Sequence, residues 1–150
     1  MKLKDVTIKI VGKHIHDNVD EEQMELITEA QMYERNGILY LIYSESEFTG
    51  MEGIKTRLSL KEDSLKLSRI DKDGSVGSEM RFEKGKRFED RYQTPMGPVA
   101  VEILTNKFEN SMTTEGEGKL SVDYSISLKG LTEGRSRLDI EFMGGNKREQ

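Results

Sequence analysis

Residues 91–103 read RYQTPMGPVAVEI, two alternating halves that meet at a Pro-x-Gly-Pro corner. The chain has 2 prolines, Pro95 and Pro98, and both sit in this corner. Pro95 presets φ for a turn and Gly97 supplies a freer backbone, so Thr94 to Pro98 reads as a rigid hairpin turn. Beyond it Val99, Val101 and Ile103 alternate with Ala100 and Glu102, which gives one side to a core and the other to water. Before it Phe88, Asp90 and Tyr92 alternate with Glu89 and Arg91.

The same period of two continues in both directions. Val6, Ile8 and Ile10 alternate with Thr7 and Lys9, and Leu58 and Leu60 flank Ser59. Leu65, Leu67 and Arg69 share a parity, as do Met80 and Phe82, Leu120 through Ile126, and Leu138, Ile140 and Phe142. Turn residues punctuate these runs, with Asn36-Gly37 the strongest hairpin signal. Residues 21–33 carry no breaker and have an acidic start that could open a helix. The NG turn needs a strand partner before ILYLIYSE, so strand is favoured there over helix. Roughly ten successive antiparallel strands leave exposed edges unless the sheet closes on itself, which predicts a barrel; a two-sheet sandwich is the alternative. The fold expected is all-β, one antiparallel barrel of about 8–10 strands over residues 1–150.

Composition limits the function. The 150 residues are 34% hydrophobic and 34% charged, with a net charge of −5. A general nucleic-acid or anionic-membrane surface is disfavoured, because nothing resembling a basic stripe stands out to neutralise phosphates. Cysteine is absent, which removes disulfides, thiolate catalysis and Cys-ligated zinc. The start, MKLKDVTIKIVG, alternates rather than forming a signal-peptide core, and no apolar run approaches a membrane span of ~20 residues. A soluble, cytoplasmic domain is expected.

Several stretches resemble the YwiB-like family of small uncharacterised bacterial proteins. They are LIYSESE with Tyr43 and Glu45, GMEGIKTRLSL, LKLSR ending in Arg69, EMRFEKGK, YQTPMGPVAVEILT and LSVDYSISL. The likeness runs from about Met24 to Phe142, and Tyr-x-Thr-Pro-x-Gly is its most specific part. The family has a Gly close after the Arg; here RIDKDG delays it to Gly74, so that turn is expected to be built differently. The resemblance implies a calycin-like barrel, as in lipocalins and fatty-acid-binding proteins, and no particular reaction.

Polar residues on inward parity are the candidate site. Arg69 follows Leu65 and Leu67; Glu45 follows Leu41 and Tyr43; Asp90 lies between Phe88 and Tyr92, and Tyr124 between Val122 and Ile126. A guanidinium with tyrosines in an apolar wall can grip a carboxylate or phosphate by charge-assisted bonds. The leading expectation is non-enzymatic binding of a small amphipathic or anionic molecule in the lumen. Arg69 would be the anchor, Glu45 its support, Tyr43, Tyr92 and Tyr124 wall groups, and Leu58, Leu67, Phe82, Val101 and Ile140 apolar lining. Structural pairing of Arg69 with Glu45 or Asp90, with no room for a ligand, is the bland alternative. A packed barrel acting as a protein-interaction module through Tyr33, Tyr40, Ile27, Ile38 and Ile42 is the runner-up. A hydrolase using Glu45 and Asp90 as paired carboxylates comes third. His14 and His16 could hold a metal but read as solvated, and Asp71 and Asp73 read as a turn rather than a calcium loop. No cofactor, metal, nucleic acid or membrane is expected, and the oligomeric state is left open.

Overall fold

The computed structural model describes residues 3–16, 19–44, 54–74, 76–94, 97–113, 115–128 and 132–145. Side chains are described within these segments except at 15–16, 19–23, 92–94, 128, 132–133 and 145. Among the described residues there is no helix, and hence none long and apolar enough to cross a membrane.

Ten strands follow one another: β1 Lys4–His16, β2 Val19–Arg35, β3 Ile38–Ser44, β4 Lys55–Leu60, β5 Ser64–Ile70, β6 Val76–Glu83, β7 Arg87–Thr94, β8 Gly97–Asn110, β9 Glu117–Leu128 and β10 Thr132–Gly145. Each pairs antiparallel with its neighbours in sequence, and β1 pairs with β10 to close the barrel. Closure satisfies the edges that ten open strands would leave. Residues 21–33 belong to β2, in register with β1 from Lys4↔Met32 to His16↔Val19. The NG turn is built as expected, with φ of 53° at Asn36 and 81° at Gly37, the left-handed pair that suits strand twist. Thr94↔Gly97 is the last pair of the β7–β8 hairpin, and residues 95–96 lie outside the described residues. Gly74 closes the β5–β6 turn at φ 89°, its N–H donating to Asp71 O at 2.9 Å.

Period two becomes layers across β3 to β6. Leu39, Leu60, Leu65 and Phe82 stand side by side in one rung. Leu41, Leu58, Leu67 and Met80 form the next. Tyr43, Thr56, Arg69 and Ser78 form the third. The opposite wall contributes Val6, Ile8, Leu120, Val122, Ile140 and Phe142, none more than 2% exposed. Thus Leu58, Phe82, Val101 and Ile140 are core, as their parity requires.

Candidate functional site

The two ends of the barrel interior differ. Near the β2–β3 and β4–β5 turns the rungs are apolar, and Leu60, Leu65 and Phe82 are 1–2% exposed. Near the other end the third rung is polar. Arg69 shares the inner face with Leu65 and Leu67, because Thr56↔Arg69↔Ser78 is in register with Leu58↔Leu67↔Met80. Tyr43, Thr56 and Ser78 beside it are buried, while Arg69 is half-buried with its Nε enclosed.

Inward side chains also become more accessible toward that end. On β5, burial falls from Leu65 to the half-buried Leu67 and Arg69; on β9, from Val122 to Tyr124 and Ile126. β1 and β2 follow the same course through half-buried Ile10 and Leu26, while β10 has a half-buried Leu138 before the buried Ser136. β3, β4, β6 and β8 do not follow it: Leu39 is half-buried, whereas Tyr43, Thr56, Ser78, Val101 and Ile103 are buried. Leu67, two residues from Arg69 along β5, is thus a half-buried inward apolar side chain beside it.

The expected site residues are placed as follows. Tyr43 and Arg69 sit in one rung. Tyr124 pairs with Thr105 and packs edge to face on Phe82, ring centroids 4.9 Å apart. Phe82 is four residues along β6 from Ser78, roughly 13 Å by strand rise, so Tyr124 flanks the deeper part of the space rather than the Arg69 rung. Tyr92 pairs with Val99 through its backbone, and its side chain lies outside the described residues. Glu45 lies outside them entirely.

Asp90 departs from its expected role. β6 and β7 share a single backbone pair, Glu79↔Arg91, and the Asp90 carboxylate bridges the seam left there. It accepts from the Arg81 backbone N–H at 3.1 Å and from Arg81 Nε at 2.9 Å, with an ion pair of 2.8 Å to the same guanidinium. A carboxylate so engaged is a wall fastener, which takes one member from the paired-carboxylate scheme. It is equally not the partner of Arg69.

Several buried inward polar residues, Thr56, Ser78, Thr105 and Ser136, are not among the site candidates read from the sequence. Thr105 is 1% exposed, and its Oγ1 is buried without a hydrogen-bond partner. Its parity with Val101 and Ile103 was the available signal. His14 accepts or donates a contact of 3.2 Å between its Nδ1 and Ser136 Oγ, and the His16 side chain is outside the described residues. Among the described residues no three His, Cys, Asp or Glu side chains come together as metal ligands would.

The ten strands form one closed antiparallel β-barrel with a polar rung among its inward residues. Residues 8–140 match the family model described as a domain of unknown function, DUF1934, and the chain belongs to that family. It is also similar to the ywiB protein from Bacillus subtilis, whose crystal structure aligns with a TM-score of 0.77 over 96% of this chain and 94% of that one. At 19% identity that likeness establishes the shared fold. No curated protein matches the chain.

Proposed function

We propose that the barrel binds a small amphipathic or anionic molecule, without turnover, in the half of the lumen next to Arg69. The observation that carries this reading is the coincidence of two features at one end. Inward Leu67 keeps accessible surface, and Arg69 shares its face two residues along, in one rung with Tyr43, Thr56 and Ser78. Small barrels either fill with side chains or hold one ligand, and incomplete burial of inward leucines favours the second. A carboxylate or phosphate would meet Arg69, while Leu67, Tyr124 and Ile126 would contact an apolar body. Thr105 Oγ1 supplies a further hydrogen-bonding group on the same inner wall.

Thermal-shift measurements with medium-chain carboxylates and alkyl phosphates test this. A bound member of either series raises Tm as its concentration passes Kd. Arg69→Leu is expected to remove the shift while leaving the unliganded protein folded, and Tyr43→Phe to reduce it. A shift that survives both substitutions would show that the anion is held elsewhere.

A further inference from the structure

The outer face of β3 to β7 carries a second feature that the lumen reading does not use. Tyr33, Tyr40, Ser59, Lys66 and Arg81 form a continuous outward rung. Arg57 belongs to the next rung, between Ile42 and Ser68. Tyr40, Arg57, Ser59, Lys66 and Arg81 border a depression of about 340 Å³, at the lower end of the volumes that hold small molecules. Its charged lining is Arg57, Lys61, Lys66, Arg81 and Glu83, so cations dominate on a protein whose net charge is −5.

The carboxylates nearby are already engaged. Glu83 pairs with Lys86 at 3.1 Å, and both Asp90 oxygens are taken by Arg81. Glu79 accepts from Ser68 at 3.4 Å and lies 3.7 Å from Lys66. Arg57 is half-buried, makes no ion pair among the described residues, and has its Nε enclosed without a hydrogen-bond partner there. Enclosing a guanidinium group this way is unfavourable unless an acceptor arrives to complete its bonds. Arg81 is held in place, its Nη2 donating to Glu89 O at 3.2 Å and its guanidinium lying 4.5 Å over the Phe88 ring.

Rings form part of the border, with Ile38, Ser59, Ser64 and Leu65 between them. Tyr40 lines the depression and stacks on Tyr33 with centroids 4.9 Å apart and planes 17° apart, so its orientation is fixed. Phe88 lines the other side. Fixed aromatic faces beside forked and ammonium cations suit a planar ring carrying a phosphate. A polyanion fits less well, because a long charged chain would meet the net negative charge beyond this small basin.

We propose that this outer depression is a binding site for a small molecule with a phosphate attached to a planar-ring moiety, the chemistry of a nucleoside monophosphate. Arg57 and Lys61 take the phosphate and Tyr40 takes the ring. The site is distinct from the lumen and needs no residue of the Arg69 rung.

Calorimetric titration of the full chain with AMP, inorganic phosphate and adenosine decides it. AMP is expected to bind about tenfold or more tightly than either part, since it engages cation and ring together. Arg57→Gln should weaken AMP by about tenfold with Tm unchanged, and the exposed Lys61→Gln by a smaller factor. Tyr40→Ala should weaken AMP but leave phosphate binding as it was, and Arg69→Leu should alter neither. The proposal is overturned if AMP fails to bind at millimolar concentration, if it binds no better than inorganic phosphate, or if Arg57→Gln and Lys61→Gln both bind it as the native chain does.

Discussion

Asp123 points away from the lumen between Val122 and Tyr124, yet it is only 8% exposed. The cause is a bulge. The β8–β9 register shifts between Thr105 and Lys107, and the extra residue, Asn106, donates through Nδ2 to Asp123 Oδ1 at 3.3 Å and Ser125 Oγ at 3.2 Å. Arg135 completes the cover, with Nε at 2.9 Å from Oδ1 and Nη2 at 2.7 Å from Oδ2. The Arg135 hydrogen bonds, opposed by burial and helped by Asn106, hold the carboxyl below its ordinary 3.8. A lowered folded-state pKa means that unfolding takes up protons in acid. The stabilisation is thus fully present above the ordinary value and is lost as pH falls through the lower folded one. Asp123→Asn should therefore have a lower urea midpoint than the native chain at pH 7, with the gap closing as the pH drops below 3.8. A gap that stays constant in acid would mean that the charge contributes nothing. At this scale the side of Arg69 was legible, because Leu65 and Leu67 precede it in step. The role of Arg57 was not. Alternation says only which way a side chain points, whereas the neighbours of Arg57 depend on the register on both sides of β4, Ile42↔Arg57 and Arg57↔Ser68.

Among the elements, β2 was ambiguous in sequence and settled by its context: Asn36-Gly37 demanded a strand before it, and the β1 ladder then held it along its length. The β6–β7 pair shows the opposite case. Phe88 and Asp90 alternate properly, but the hairpin tip turns across to β8, where Gly85 N–H donates to Thr105 O at 2.9 Å. With the ladder reduced to one pair, parity no longer assigns a face, and Asp90 becomes a brace between strands. The β8–β9 connection is held more closely. Ser111 N–H donates to Lys119 O at 2.9 Å and Thr113 N–H to Glu117 O at 2.8 Å, bringing the chain back over Gly118. Gly118 has φ 132°, and a Cβ there would press on the Ser111 carbonyl and lie 2.8 Å from Met112 Cα. Gly118→Ala should cost about 3 kcal/mol or more, combining backbone strain with overpacking. That corresponds to a Tm lowered by roughly 6–12 °C for a chain of this size. Gly37→Ala is the control: its φ of 81° is also left-handed, but an added Cβ meets nothing within 4 Å, so the cost is about 1–2 kcal/mol. Equal losses in the two variants would show that the contact with residues 111–112 carries no weight.

At the scale of the molecule, β1 and β10 bring the chain's two ends together, with Ile8↔Phe142 and Ile10↔Ile140 closing the ring. Closure was foreseeable from the number of strands, since so many hairpins in succession must hide their edges. Which end of the lumen is more open was not, because strands of 6 to 17 residues wrap one axis and period two carries no height. The gradient of burial makes that difference measurable. Truncating a side chain costs its lost transfer energy plus a term for the cavity left, and both shrink where solvent already reaches. Leu41→Ala and Leu58→Ala, at 0% and 1% exposure, should each cost about 2–5 kcal/mol. Leu67→Ala and Leu138→Ala, inward but half-buried, should cost less than about half as much. Their cost should rise when a lumen ligand is present at saturation, because the ligand then packs on the side chain removed. Four equal penalties, insensitive to ligand, would describe an interior filled alike from end to end, and the space beside Arg69 would have no room for a guest.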